Sequence, residues 1–449
     1  MKKLNLNIKR MAILFMVLVG LTTLSVNYLH AEEKTNNPPI AKFRVEKNYV
    51  VQGEKIQYID ESYDPDGDKI VEVKWTGRLS SFFQPGIKKV TLQVKDSRGL
   101  WSKPAEVTIT VWQKSDPFSF NKRIKHARIG EIVDLTMEEP LAFSTLTPTT
   151  KDWGPTLLLS NSPEVIKQNG ILYADKALGS TRLYYYHLNG TTEKKKIYIL
   201  AENLSQEMAT VDIYRDGSAK PNTNALMAGK MGLQSYFSSP VDKRLVINPG
   251  ATIIVNSEGS SRSISYGQVA HEVMDVFTDV PVRFSFVVVG EKDDVLAKYK
   301  GDMLILPRDN HPRGTFSNAN RSLEVAVDDL TKKRFIVADN KQDAFLVGRD
   351  NLTGQPSVNY GNYGLLYQLT VASQYKVGLV TAIRGGAFCG AIVATDGKVY
   401  FTPKEGVLKS STEGGMNGFF TPNTGERMLF MVPVASFTPI NMLVIPIEE

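Results

Sequence analysis

Period-two alternation of apolar and polar residues constrains this chain more than any other feature. Val90, Leu92 and Val94 fall on one side of an extended run, as do Val107, Ile109 and Val111. Ala41, Phe43 and Val45 repeat the pattern, then Ile56 with Tyr58, then Val71, Val73 and Trp75. Successive side chains of a strand point to opposite faces, so each run reads as a half-buried strand. The runs are short, turn residues separate them, and no helical period intervenes. Residues 40–112 are therefore expected to form an antiparallel, immunoglobulin-like β-sandwich of about 75 residues.

The remainder of the 449 residues reads as two more β-rich regions. After a linker at 112–117, residues 113–203 are expected to form a small middle β-domain. Its basic stretch, 121–128, reads as a solvated edge. Asn189-Gly190, between strand-like runs 182–188 and 191–200, predicts a hairpin, because a type I′ turn needs two positive φ angles. In that first run Tyr184 and Tyr186 share one face and Tyr185 takes the other, so one face packs. Residues 204–449 predict a larger β-sandwich-type domain with one helix over 224–237. Asn224 caps that helix, and Leu226, Met227, Met231 and Leu233 recur at helical spacing. Gly229 and Gly232 inside it each weaken it by roughly 1 kcal/mol against alanine. Strands are expected at 268–277 and 282–289, with a turn at 278–281. The fold class is thus all-β: tandem β-sandwich domains, with one helix in the C-terminal domain.

The N-terminus has the form of a secretory leader. Lys2, Lys3, Lys9 and Arg10 precede an uncharged apolar run, 11–26, which is short of the ~20 residues a spanning helix needs. Cleavage is expected after Ala31, giving a signal peptide at 1–31 and an extracellular or cell-surface mature chain with no transmembrane domain. Loss of those four cations lowers the formal charge from +6 to +2. No Lys/Arg stripe remains to suggest nucleic-acid binding. The single cysteine, Cys389, forms no intramolecular disulfide and reads as a small buried residue.

Tyr63-Asp64-Pro65-Asp66-Gly67-Asp68 places three carboxylates in a loop that Pro65 and Gly67 allow to turn sharply. Such a loop either faces water, its carboxylates capping backbone N–H groups, or holds a hard cation through oxygen ligands. The surroundings add a resemblance. Asn37-Pro38-Pro39-Ile40-Ala41-Lys42-Phe43, Gly53, the 62–68 stretch, Trp75, Gly86 and Val94-Lys95-Asp96-Ser97-Arg98-Gly99 make residues 37–112 resemble a PKD domain. That family is an immunoglobulin-like sandwich of bacterial surface proteins and extracellular enzymes. The chain departs from it after Trp75, where Thr76-Gly77-Arg78-Leu79 replaces the usual acidic turn. The resemblance implies a calcium site at Asn37, Asp64, Asp66 and Asp96, with Asp68 a further candidate. Elsewhere 306–316 and 361–367 resemble β-rich regions of exported proteins of spore-forming bacteria, which bears on localisation alone.

Catalytic motifs are sparse. His271-Glu272 opens like a zinc-protease motif, but Asp275 stands where the second histidine belongs. No Gly-x-Ser-x-Gly elbow or P-loop occurs. The densest polar constellation is Arg308, Asp309, His311 and Arg313, stiffened by Pro307 and Pro312. Its guanidinium forks suit a carboxylate or phosphate, and its histidine suits acid–base work. Alternatively it is a rigid loop paired within itself. The functional expectation is a secreted or cell-surface, non-catalytic, adhesive or carbohydrate-binding protein. Its partner would be polysaccharide, cell-wall polymer or protein, with calcium in the PKD-like domain. The alternative is an extracellular hydrolase with its site in 204–449 and the PKD-like domain as accessory.

Overall fold

The computed structural model describes residues 36–113, 120–136, 138–300 and 303–448. The leader with its Ala31 cleavage position lies outside them, as does most of the linker after Trp112. The fold is all-β, built from several sheets. Among the described residues no helix is long and apolar enough to cross a membrane.

Two compact units are present. One comprises 36–44, 59–74 and 91–106; the other comprises 45–58, 75–90 and 107–448. Within 36–112, Phe43–Val45 pairs with Tyr58–Asp60. Four more strands follow the order Tyr49–Val51, Ala105–Trp112, Gly86–Asp96, Ile70–Thr76. Val90, Leu92, Val94, Ile109 and Val111 are buried, as their alternation requires. Val71 and Val73 are not: they lie on an edge strand that is exposed along most of its length, so the expected apolar face there is uncovered.

In the second unit an eleven-stranded sheet is organised around the 22-residue strand Val269–Gly290. Its first half lies between Gly170–Asn189 and Ala209–Ser218, its second half between Gly170–Asn189 and Lys195–Asn203. This corrects two expectations. Asn189-Gly190 closes no hairpin, because the strands on either side of it both pair with the central strand. The Asn189 side chain instead accepts from Thr191 N at 2.9 Å and donates to Ile264 O at 2.8 Å. Residues 278–281 make no turn either. Ala177 pairs with Val282 and Gly179 with Thr278, so three residues face Leu178 alone and the strand continues through a bulge.

The proposed boundary at 203 also gives way. Strands N-terminal to it are partnered far beyond it: Ile132–Asp134 with Glu413–Phe420, Ser144–Thr145 with Lys333–Val337, and Thr149–Trp153 with Asn320–Val327. These strands of the expected middle domain thus belong structurally with the C-terminal region, where they find their ladder partners.

The large sheet has a core on each face. Tyr184, Tyr186, Val269 and Val273 join one, which the long helix and two six-stranded sheets complete. Leu183, Tyr185, Met274 and Val276 join the other. All three tyrosines are buried, so none is a stacking platform. The helix spans Ala225–Ser238, with Asn224 accepting from Met227 N at 3.3 Å. Its glycines are contact points: a Cβ on Gly229 would lie 2.7 Å from Val434 O, and one on Gly232 would lie 2.5 Å from His271 Cδ2. Cys389 is buried, its thiol donating to Leu226 O at 3.3 Å, and burial pushes that thiol up to about 11.

Candidate functional site

The strand Ala209–Ser218 carries a bulge between Ile213 and Arg215 in its pairing with both neighbours. An extra residue interrupts alternation and re-aims the side chains beyond it. Consecutive residues Tyr214 and Arg215 therefore line the same cleft, of about 260 Å³. Opposite them stands Trp153, at the end of Thr149–Trp153. Trp153 is 42% exposed and Tyr214 48%, so both side chains are open to solvent. The Trp153 indole N–H donates to Ser322 Oγ at 3.1 Å, which fixes the ring's orientation.

The cleft floor is polar. Across three adjacent strands Arg182 registers with Asp275, and Asp275 with Arg215. Arg182 grips Asp275 with both arms, Nε to Oδ1 at 2.8 Å and Nη2 to Oδ2 at 3.0 Å. Its remaining arm donates to Ala319 O at 2.7 Å and Gly364 O at 2.9 Å. The Tyr236 hydroxyl donates to Asp275 Oδ2 at 2.7 Å. Burial opposes the charge on Arg182, but the attraction of Asp275 and the hydrogen bonds around it outweigh that and raise its pKa. Burial, with Asp275 adjacent, raises Tyr236 as well, so its phenol stays a donor. Asn320 completes the floor, its Oδ1 accepting from Arg182 Nη2 at 3.2 Å. Gly154, at φ +90°, lets the Asn320 amide approach where any Cβ would collide. Two exposed aromatic side chains above fixed hydrogen-bonding groups suit a sugar, whose C–H faces are apolar and whose rim is hydroxylated.

The loop expected to form a site is differently disposed. Arg313 is fully buried, bonded to Asp350 Oδ2 at 2.8 Å through Nη2 and to Leu172 O and Leu306 O through Nη1. A guanidinium engaged in this way is withdrawn from any ligand, so it does not join the other three. Asp309 accepts from Ser162 Oγ at 2.7 Å, Glu164 N at 2.8 Å and His311 N at 2.9 Å. Burial works against its charge, but these donors hold its carboxyl below the usual range. His311 pairs with Glu164 and Asp309. Arg308 donates to Pro356 O at 3.3 Å. His271, the would-be zinc ligand, is buried in a strand, and that burial lowers its pKa to about 4.

In the other unit Asp64, Asp66 and Asp68 each bring an oxygen within 4.8 Å of the others. The expected ligands already have partners: Asp64 Oδ1 accepts from Asp66 N and Asp68 N, Asp66 accepts from Asn37 N and Nδ2, and buried Asp96 accepts from Asn36 Nδ2, Arg98 N and Leu100 N. The buried oxygens in this unit with no hydrogen-bond partner are Asp64 Oδ2, Asp68 Oδ2 and Asn36 Oδ1. Asp68 Oδ2 lies 3.7 Å from Arg98 Nη1, while three carboxylates meeting beside a sharp turn offer the oxygen donors a hard cation takes. Of the expected ligands the structure brings together Asp64, Asp66 and Asp68, with Asn37 bonded to Asp66.

Sequence reasoning missed the cleft. Its floor joins Arg182 to Asp275, which are 93 residues apart, and no local pattern reports such a pairing. Two signals were present: Trp153-Gly154-Pro155 at the end of a polar run, and Arg182 opening an otherwise apolar and aromatic strand.

No family model and no curated protein matches this sequence. Among solved structures, the PKD1 domain of Vibrio anguillarum Epp aligns over 17% of this chain and 100% of its own, at 20% identity and a TM-score of 0.15. A carbohydrate-binding module of the β-sandwich superfamily, described for its promiscuous specificity, aligns over 56% of this chain and 97% of its own, at 13% identity and a TM-score of 0.16. Tripeptidyl peptidase 2 aligns over 92% of this chain and 37% of its own, at 8% identity and a TM-score of 0.15. TM-scores this low do not define a shared fold.

Proposed function

We propose that this chain is a non-catalytic binding protein of the extracellular or cell-surface space and that it holds polysaccharide in the Trp153–Tyr214 cleft. The observation that carries this is the pair of exposed aromatic side chains above a preorganised polar floor. The floor favours binding over hydrolysis. Glycoside cleavage generally needs two carboxyl groups flanking the bond, whereas Asp275 is the one carboxylate among the lining residues, held by Arg182 and Tyr236. In the other unit, calcium held by Asp64, Asp66 and Asp68 would neutralise the acidic loop.

Retention of residues 32–449 on purified cell-wall and polysaccharide fractions, with calcium and with chelator, tests both parts. The mature chain is expected to be retained, and Trp153→Ala and Tyr214→Ala each to bind about tenfold more weakly, the loss of roughly 1.4 kcal/mol. Wild-type retention by both variants would remove the cleft from the binding reading. Calcium is expected to raise the melting temperature without changing the ranking of the variants. Identical melting in calcium and chelator would remove the metal.

A further inference from the structure

Charge in the cleft is unbalanced. Arg182, Arg215 and Asp275 are the ionised groups lining it. Arg182 and Asp275 neutralise one another through two hydrogen bonds. Arg215 is left over. It stands in register with Asp275 but forms no ion pair among the described residues. Its Nη1 is steadied by Tyr236 O at 3.3 Å and Phe237 O at 3.5 Å, carbonyls at the end of the long helix, and its guanidinium carbon lies 5.5 Å from the Tyr236 ring centroid. The side chain is thus anchored by one nitrogen, while Nε and Nη2 donate to nothing among the described residues.

Resting on the binding reading above, we propose that the cleft selects acidic polysaccharide: a sugar chain bearing ring carboxylates, one of which is taken by Arg215. Three features converge. A guanidinium presents two parallel donors matched to the two oxygens of a carboxylate. Its own potential partner, Asp275, is already saturated by Arg182 and Tyr236, so it does not compete. The bulge places Tyr214 next to Arg215, so one sugar ring can stack while its carboxylate reaches the fork. A neutral glycan would leave the Arg215 charge partly desolvated and unpaired, a penalty that discriminates against it.

The test compares the mature chain on two immobilised polymers, polygalacturonate and neutral dextran, at low and moderate salt. Polygalacturonate is expected to bind at least tenfold more tightly, and that preference to shrink with salt. Arg215→Gln should abolish the preference and Arg215→Lys should keep part of it, with melting temperatures confirming that both variants fold. Trp153→Ala should weaken whatever binding exists on either polymer. Equal binding of the two polymers, or a preference that survives in Arg215→Gln, overturns this inference and leaves the binding reading standing. Binding to neither polymer or wall fraction overturns both.

Discussion

Glu272 is sealed under the short helix Ser257–Ser261, so closely that a Cβ on Gly259 would lie 2.8 Å from its Oε1. Asn256 donates to Oε2 at 2.8 Å, and Tyr185 lies beside the carboxyl. Asp216, from the neighbouring strand, lies close enough for its charge to act on Glu272, and the charges of Glu258, Lys243 and Arg262 act on Asp216 in turn. Burial first, then the charge of Asp216, pushes the pKa of Glu272 well above its ordinary 4.5. The folded state therefore keeps a proton that the unfolded chain releases above about pH 4.5. The neutral acid adds its full stability below that point and loses it as pH rises toward the folded pKa, by at most about 1.4 kcal/mol per pH unit. Glu272→Gln keeps the shape and removes the titration. Urea unfolding at pH 5 and pH 8 is expected to show the variant gaining on the wild type at the higher pH; a gap that stays constant would mean the carboxyl titrates normally. Nothing near Glu272 in the sequence announces this chemistry, because Asp216 and Tyr185 reach it from other strands.

At the scale of elements, the long helix was legible and its glycines were not. Helical spacing and an asparagine cap suffice to place Ala225–Ser238. The two glycines looked like a weakness because their partners lie elsewhere in the chain. Gly229 meets Val434 backbone, and Gly232 meets the ring of His271, which is fixed by its Nδ1 bond to Tyr185 O at 2.8 Å. Alanine at either position would gain about 1 kcal/mol in helix propensity. It would also force an overpacked contact costing about 1–3 kcal/mol. At Gly229 the contacted oxygen belongs to backbone and has no rotamer to escape into, so the contact term wins. Gly229→Ala is therefore expected to lower stability, by up to about 2 kcal/mol in thermal or urea unfolding. A more stable variant would show that the helix sits further from Val434 than the geometry states. The bulge in Ala209–Ser218 is legible in the same limited way. Tyr214-Arg215 reads as strand, but alternation alone would send the two side chains to opposite faces and split the cleft.

Across the whole molecule, strands were legible and their partners were not. Alternation reports which face of a strand is buried but is silent on what lies beside it. The division at 203 followed composition and turn residues, whereas the ladders run across it. Val269–Gly290 pairs with Gly170–Asn189 along nearly its whole length and with Lys195–Asn203 along its second half. Removing residues before 204 would strip the central strand of these two partners, leaving it Ala209–Ser218 along its first half, and would open the core containing Leu183, Tyr185, Ile197 and Ile199. The unpaired N–H and C=O groups and exposed Val, Ile and Phe faces would favour association over folding. A fragment of residues 204–449 is therefore expected to lack a cooperative thermal transition, to bind a hydrophobic dye and to be cleaved rapidly by protease, whereas residues 32–449 should unfold cooperatively and resist both dye and protease. Cooperative unfolding of the fragment would mean that a complete core lies beyond residue 203, and the sheet order around Val269–Gly290 would then be wrong.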